Sequence, residues 1–520
     1  FNRYGFFRCS TSFYNRPFEK ECKGRLYVDK SMLIEKISDK VGSAGQYICI
    51  TRPRRFGKTI NANMLAAYFT KGCDSAELFN GLKIHDSPVY GEKQNQYNVI
   101  HIDFSVQPDF CECYRDYISN IIENLKEDLA EAYPSVAGRD YAQISRMFRD
   151  TGDTFIFILD EWDSVFYEKF MEEDDRIQFL KWLKGLLKDK PYVELAYMTG
   201  ILPIAKYSSG SELNMFDEYN FMNDNVYDQY FGFSEEEVHR LCEKYGSVSF
   251  TELKEWYDGY YFYNGDSLFN PRSVNRALDR GICLNYWTET GPMNEIADCI
   301  ENNVDEVRGD IVEMVAGIPV ETELGGYSAA ELQLNSRDEI LSAMVVYGFL
   351  AYHDGKLSIP NYELMEKYQK VLTRDSMAGV KEIVSQSKEV LEATFRKDAA
   401  RVAELLEQAH DREIPFLEYN DENALSCVIT LCYLYARKDY RMEREAKAGK
   451  GYCDYIFTPR SSQRPAIILE LKYGKSSEEA IAQIREQQYI QKVENCKEIL
   501  LVGINYDPRM KKHTCKIETA

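Results

Sequence analysis

The stretch QYICITRPRRFGKTINANMLAAYFT, Gln46–Thr70, decides the fold of the first half of the chain. Gln46–Thr51 reads as a short apolar strand, a basic loop follows, and a helix runs through Ile60–Thr70. The loop is Arg52-Pro53-Arg54-Arg55-Phe56-Gly57-Lys58-Thr59. Backbone N–H groups gathered at the positive end of a helix suit an anion. Gly57 permits the tight turn, Lys58 carries charge to the β- and γ-phosphates, and Thr59 offers a hydroxyl to Mg²⁺. The pattern GxxxxGK[ST] begins with glycine, and Arg52 stands in that place here. A surface turn is the plainer reading of GKT alone; its position between an apolar strand and a helix points to ATP with Mg²⁺.

Working outward, further strands fall at Asn98–Ser105, Thr154–Asp160 and Val193–Thr199. Helices fall at Leu26–Lys40, with Asp29 or Ser31 as its cap, and at Tyr114–Tyr133 and Arg176–Lys188. Alternating strands and helices, with several strands apolar on both faces, predict a parallel sheet covered by helices. TFIFILD ends on Asp160, where a carboxylate can orient Mg²⁺, and Glu161 beside it can polarise an attacking water. Thr199 ends another strand and has two readings, a γ-phosphate sensor or a hydroxyl bonded to backbone. The nucleotide-binding candidates are thus Arg55, Phe56, Gly57, Lys58, Thr59, Asp160 and Thr199, with Thr59 and Asp160 at the metal. Arg54 and Arg55 can stabilise transition-state charge in this chain or across a subunit contact, so a homo-oligomer is one expectation.

After Phe231 helices take over to about Phe395, starting with a capping box at Ser234 and Glu237. Asp354-Gly355 within Phe349–Ile359 is a hairpin signal, which suggests a winged-helix-like module. A helix at Asp421–Arg437 precedes strands at Tyr440–Ala446, Tyr452–Thr458 and Ala466–Tyr473. Next come a helix at Ser476–Val493 and a strand at Ile499–Ile504. Asp454 lies in YCDYIF, after the Gly449–Gly451 turn, and Glu470 and Lys472 lie in AIILELKY. Period two puts Glu470 and Lys472 on one face, where Asp454 can join them from a neighbouring strand. Two carboxylates can hold Mg²⁺ or Mn²⁺, the ion can polarise a phosphodiester, and Lys472 can steady the developing charge. Gln483 and Gln487 share a face of the following helix, and Glu422 can add another acid. A solvent-facing Glu/Lys pair is the plainer alternative, but the apolar run Ile467–Leu469 aims that charged end toward a site.

Composition narrows the rest. The hydrophobic fraction of 44% and charged fraction of 28% are those of an ordinary globular chain of 520 residues. No apolar run is long enough to span a membrane, and Phe1–Lys23 lacks a signal-peptide pattern. Fourteen cysteines without CxxC pairs and six scattered histidines speak against zinc and fit a reducing cytoplasm. Net charge is −21, yet Arg437–Ala520 holds 17 Lys and Arg against 12 Asp and Glu, a locally basic region that can hold nucleic acid.

YVDKSMLI (Tyr27–Ile34), RPRRFGKT (Arg52–Thr59), FILDEWD (Phe157–Asp163) and TGILPIAK (Thr199–Lys206) together resemble a bacterial family. So do FGFSEEEV (Phe231–Val238), EWYDGYYF (Glu255–Phe262), FNPRSV (Phe269–Val274), GKGYCDYIF (Gly449–Phe457) and ILELKYG (Ile468–Gly474). That family joins an AAA-ATPase-like domain to a C-terminal PD-(D/E)XK nuclease-superfamily domain. The resemblance implies an α/β multidomain chain with a P-loop NTPase at residues 1–230 and a helical lid at 231–285. A winged-helix-like region at 286–395 and a restriction-endonuclease-like domain at 396–520 would follow. By position, Gly57, Lys58 and Thr59 would be Walker A, Asp160 and Glu161 Walker B, and Asp454, Glu470 and Lys472 the nuclease core. The expected function is ATP binding and hydrolysis coupled to Mg²⁺-dependent cleavage of DNA. The alternative is an ATP-driven switch whose nuclease-like domain only binds nucleic acid or a protein partner.

Overall fold

Phe155–Asp160 is buried along its whole length, as only a strand covered on both faces can be. The computed structural model describes residues 4–6, 15–108, 111–204, 212–287, 305–322, 324, 336–412 and 422–520. The chain divides into two units. One is Phe1–Ile296 with Thr322–Gly355 and Pro360–Leu364; the other is Ala297–Glu321 with Lys356–Ile359 and Met365–Ala520. No helix among the described residues is long and apolar enough to cross a membrane. Lys206 at the end of TGILPIAK, and part of the expected helical middle, lie outside the described residues.

The first unit is built on β1 (Tyr4–Phe6), β2 (Tyr47–Thr51), β3 (Asn98–Asp103), β4 (Phe155–Asp160), β5 (Val193–Gly200) and β6 (Asp217–Tyr219). Their order is β1-β3-β4-β5-β2-β6, parallel except for β1, which runs antiparallel to β3. Alternation along β4 splits the core in two. Phe155, Phe157 and Leu159 pack with Tyr117, Ile121 and Leu125 of the helix Tyr114–Ala132 and with Phe179 and Leu183 of the helix Glu173–Leu187. Ile156 and Ile158 pack on the opposite face against Ile34 and Ile37 of the helix Leu33–Ser38 and Met64 and Leu65 of the helix Lys58–Phe69. Each such side chain contributes about 1.5–3 kcal/mol by leaving water. A small antiparallel sheet, β7 (Phe233–Ser234), β8 (Tyr260–Tyr261) and β9 (Ser267–Phe269), follows. The capping box at Ser234 and Glu237 is formed. Further short strands are β10 (Val320–Glu321), β11 (Ala351–His353) and β12 (Lys356–Ser358), of which β10 and β12 pair antiparallel. Asp354 and Gly355, both left-handed, stand between β11 and β12 at the Asp-Gly signal.

The second unit's main sheet runs β13 (Tyr440–Ala448), β14 (Gly451–Pro459), β15 (Ala466–Tyr473), β16 (Ile499–Asp507), β17 (Lys512–Thr519). Only β15 and β16 are parallel, and the helix Ser477–Glu486 makes the crossover that parallel strands require. Gly503 in β16 lets that helix approach, because a Cβ there would come within 2.3 Å of the Ser477 carbonyl.

Three expected elements differ. The helix expected at Leu26–Lys40 starts only at Leu33, because Asp29 and Ser31 serve other partners. Asp29 accepts the N–H groups of Ser31 at 2.8 Å and Lys83 at 2.7 Å, and Ser31 Oγ accepts that of Ile84 at 3.1 Å. The helix expected to reach Val493 stops at Glu486. Gln488 there is left-handed (φ 57°) and Tyr489–Val493 is a separate 3₁₀ turn. The helix expected at Asp421–Arg437 is α-helical over Glu422–Cys432 and tightens to a 3₁₀ turn at Leu434–Lys438.

Arg52 sits at the end of β2 and is almost fully buried. Its guanidinium pairs with Asp224 and donates to the carbonyls of Thr51 at 2.8 Å and Tyr219 at 3.1 Å. Removing one partner strands the other charge out of water, at a cost of about 3–5 kcal/mol. Arg52→Ala is therefore expected to lower the denaturant midpoint of the first unit's unfolding by that equivalent. A midpoint equal to that of the wild type refutes this reading.

Candidate functional site

The C-terminal ends of β2, β4 and β5 meet at one edge of the sheet, the edge where parallel α/β sheets bind ligands. Gly57 takes φ 92° and opens the helix Lys58–Phe69, whose first N–H groups face the loop. A Cβ on Gly57 would touch nothing within 4 Å, so the backbone angle is what demands glycine. Arg55 (φ 74°) and Glu161 (φ 53°) are left-handed without being glycine, a local strain that clusters at functional sites. Arg55 and Thr59 are exposed at the loop. Phe56 is buried and meets Phe221 and Tyr260 edge-on at 5.4 and 5.3 Å, so only its backbone can serve a ligand.

Lys58 is buried, with Nζ donating to the carbonyls of Arg52 at 3.0 Å and Pro53 at 3.2 Å. It also stands 3.6 Å from Glu161, which brings loop and acids together. Asp160 is buried, and burial first and the Glu161 charge second push its carboxyl up to about 7. Thr199 donates its hydroxyl to Asp160 Oδ1, which makes it the acid's hydrogen-bond partner. The Thr59 hydroxyl also lies close enough to hold the Asp160 charge, while among the described residues Oδ2 meets no donor in full hydrogen-bond geometry. A buried carboxylate beside the Thr59 hydroxyl fits a cation or its bound water.

Sequence reasoning missed two groups here. Asp163 is buried and accepts the N–H groups of Leu202 at 2.8 Å and Ile201 at 3.2 Å, clamping the turn after β5. Burial, then Glu161, pushes it up to about 6. Its place in FILDEWD was the available signal. Arg272, second residue of the helix Pro271–Arg280, is pushed below the usual arginine range by burial and then by the charges of Arg55 and Arg276. The motif FNPRSV carried it without revealing that neighbour.

In the second unit the β14–β15 ladder stops at Tyr455↔Leu469. Beyond it Asp454 Oδ2 accepts the Leu471 N–H at 2.7 Å, replacing a backbone carbonyl with a carboxylate. On the other side the β13–β14 pairing skips Asp454, opposite a left-handed Glu445 (φ 48°). The splayed strands thereby bring Asp454 to Glu470, whose Oε2 lies 3.4 Å from the Asp454 nitrogen. Glu470 is buried, and Oε1 accepts from Lys472 Nζ at 3.1 Å and from the Gln483 amide. Two crowded carboxylates backed by a lysine are a hard-oxygen donor set that fits a divalent cation. Gln487 caps the end of its helix, its backbone carbonyl taking the Lys450 N–H at 2.8 Å and its side-chain oxygen lying beside Gly451, and Glu422 begins the helix Glu422–Cys432. Tyr489, not foreseen, donates to the Tyr452 carbonyl at 2.6 Å and lies 3.4 Å from the Gln483 amide.

Residues 18–209 match the family model of a predicted AAA-ATPase, and residues 420–516 match that of the PD-(D/E)XK nuclease superfamily. The chain thus joins an AAA-ATPase-like part to a PD-(D/E)XK-superfamily part, as its motifs implied. An uncharacterized protein in the vnfD 5′ region of Azotobacter chroococcum is 22% identical over 445 residues, 83% of this chain and 78% of that protein. Among solved structures, the Walker-type ATPase of Pyrococcus abyssi is similar at 12% identity and a TM-score of 0.31, covering 65% of this chain and 94% of that one. The ORC2 protein of Aeropyrum pernix is similar at 10% identity and a TM-score of 0.32, covering 70% and 98%.

Burial first, then the Asp454 charge, pushes Glu470 up to about 7, above the 4.5 of an unperturbed glutamate. Between those values the folded chain keeps a proton that the unfolded chain has lost. Stability contributed by this group therefore falls as pH rises from about 4.5 to about 7 and levels off above. Glu470→Gln is expected to be more stable than the wild type at pH 8 in EDTA, with the gap closing toward pH 5. Denaturant midpoints for both proteins across that range check it; a gap independent of pH contradicts it.

Proposed function

We propose that the chain binds and hydrolyses ATP in its first unit and cleaves DNA in a divalent-cation-dependent reaction in its second. The observation that carries the reading is convergence. Loop and acids meet at Lys58–Glu161, 3.6 Å apart, and the three nuclease-core residues meet around the Glu470 carboxylate. In the first unit, the Arg55–Thr59 backbone and Lys58 hold the phosphates, Thr59 and Asp160 hold Mg²⁺, and Glu161 orients the attacking water. Thr199 fixes Asp160, and Arg272 adds positive charge beside Arg55. In the second unit, Asp454 and Glu470 hold Mg²⁺ or Mn²⁺, and Lys472 steadies charge on the phosphate. When held by these carboxylates, a divalent cation would supply the Lewis acidity that polarises a phosphodiester. The reading places the ATPase at residues 1–230 and the nuclease at 396–520, in the cytoplasm.

For the nucleotide, Lys58→Ala is expected to weaken ATP binding by about 2–5 kcal/mol, since a buried charge loses its place against the phosphates. Glu161→Gln is expected to keep ATP affinity and lose about 10²–10⁴-fold in turnover. Calorimetry and a phosphate-release assay read the two, and unchanged affinity in Lys58→Ala would sink the assignment.

For the nuclease, Asp454→Ala and Glu470→Ala are each expected to lose both cleavage and tight Mn²⁺ binding. Lys472→Ala is expected to keep the ion and lose cleavage, because it acts on the transition state. The assay uses plasmid and linear DNA with Mg²⁺ or Mn²⁺, with and without ATP, and circular dichroism for each variant. Wild-type protein that binds ATP and never cuts would replace this reading with that of an ATP-driven switch.

A further inference from the structure

Three parts of the nucleotide site lean on one helix end that has no role in the chemistry described above. The helix Arg337–Val346 belongs to the first unit. It closes in a Schellman turn, the Gly348 N–H bonding to the Val345 carbonyl at 2.9 Å and the Phe349 N–H to that of Met344 at 2.7 Å. Gly348 is left-handed (φ 81°), and a Cβ on it would lie 2.8 Å from Pro53 Cβ. The phosphate loop is therefore seated directly on this turn. Tyr260 ties down the same place, its hydroxyl donating to the Gly348 carbonyl at 2.6 Å while its ring meets Phe56. Ile201 and Leu202, the residues after β5, pack with Ala343 and Val346 of the helix.

The third contact runs through a charge. The Arg54 guanidinium lies over the Tyr167 ring, 5.9 Å from its centre. The Tyr167 and Tyr347 hydroxyls lie 3.3 Å apart, one donating to the other. Tyr167 ends the turn Ser164–Tyr167 that follows Asp160 and Glu161, and Tyr347 caps the helix. Among the described residues no carboxylate stands within ion-pair distance of Arg54. A cation held by a ring face alone is held weakly, and a phosphate is the stronger partner for a guanidinium. Lys58 Nζ ends 3.2 Å from the Pro53 carbonyl, which belongs to the same peptide as the Arg54 nitrogen. Arg54 thus leaves the backbone beside the ammonium that the loop aims at the β- and γ-phosphates.

We propose that Arg54 tells ATP from ADP by moving from the Tyr167 ring to the γ-phosphate. The move takes the cation off Tyr167, loosens its bond to Tyr347 and so reports the third phosphate to the helix Arg337–Val346. A diphosphate leaves Arg54 on the ring. A ligand shifts such an equilibrium only by binding its two states differently, and here the difference is the pair of Arg54 and the γ-phosphate. The proposal rests on the reading of Arg52–Thr59 as a nucleotide loop, and the experiment separates the two.

The full chain is titrated by calorimetry with ADP and with β,γ-imido-ATP in Mg²⁺, and hydrogen exchange is followed by mass spectrometry at saturation with each. In the wild type, amides of the helix Arg337–Val346 and its closing turn are expected to exchange roughly fivefold faster with β,γ-imido-ATP than with ADP, the loss of one contact of this kind. Arg54→Ala is expected to weaken β,γ-imido-ATP by about tenfold, to leave ADP affinity unchanged and to abolish the difference in exchange. Tyr347→Phe keeps the ring and loses the hydroxyl pair, and is expected to exchange equally fast with both nucleotides. Equal exchange in the wild type overturns the proposal. So does a difference that survives in Arg54→Ala or Tyr347→Phe, or an Arg54→Ala protein that loses ADP and β,γ-imido-ATP affinity alike. A wild type that binds neither nucleotide overturns the ATPase reading as well, whereas binding of both with equal exchange overturns this proposal alone.

Discussion

The buried guanidinium of Arg52 is the constraint on which the nucleotide loop depends. It closes the end of β2 by bonding to the Thr51 and Tyr219 carbonyls and pairing with Asp224, while the Phe231 ring lies 5.1 Å beneath it. The first position of a phosphate loop is ordinarily glycine because the chain must turn there. Here the turn is fixed from below by a side chain with five donors in a rigid fork. A lysine, a point charge on a flexible stem, would not span the same three partners. The Arg52 and Pro53 carbonyls then point at Lys58, so the residue that breaks the glycine pattern also orients the residue that fulfils it.

The two sites solve one electrostatic problem in the same way. Each sets a buried carboxylate after an apolar run, Asp160 closing β4 and Glu470 following Ala466–Leu469 within β15, and crowds it with a second acid, Glu161 or Asp454. Burial and like charge raise both groups to about 7. A stability-optimised chain would not keep such pairs, because each costs free energy that a cation would return. The lysines do not neutralise the acids fully: Lys58 stands 3.6 Å from Glu161 and Lys472 3.1 Å from a single oxygen of Glu470. What remains at each site is a carboxylate pair only partly matched by lysine charge.

Much of this was legible in the sequence where periodicity and chemistry coincide. The continuous apolar run FIFILD showed β4 buried on both faces, and the alternation in AIILELKY placed Glu470 and Lys472 together. The misread elements share a cause: a side chain or distant backbone group competing with local propensity. Asp29 and Ser31 look like helix caps, but their oxygens serve Lys83 and Ile84, more than fifty residues away. Val493 continues a helical pattern, but the helix ends where Gln487 must receive the Lys450 N–H. Asp454 was found as a motif residue, while the reason it reaches Glu470, a ladder broken at Tyr455↔Leu469, is a tertiary fact. The roles of Asp224 toward Arg52, of Asp163 toward the Ile201 and Leu202 N–H groups, and of Tyr489 toward the Tyr452 carbonyl were not readable locally, because those partners lie far along the chain.

Net charge is the argument that changes most when the sites are seen. A total of −21, taken alone, opposes a polyanionic substrate. Yet charges beyond about 8–10 Å are largely screened at physiological salt, so the field at a site is set by its neighbours. Beside the Asp454–Glu470 pair stands Lys472, 3.1 Å from Glu470, and further lysines follow along the same part of the chain. The stretch Arg437–Ala520 that carries them is itself basic, with 17 Lys and Arg against 12 Asp and Glu. The surplus of acid lies elsewhere along the sequence. A charge count over the whole chain therefore weighs little against a nucleic-acid strand at this sheet, and the lysine set against two carboxylates weighs more.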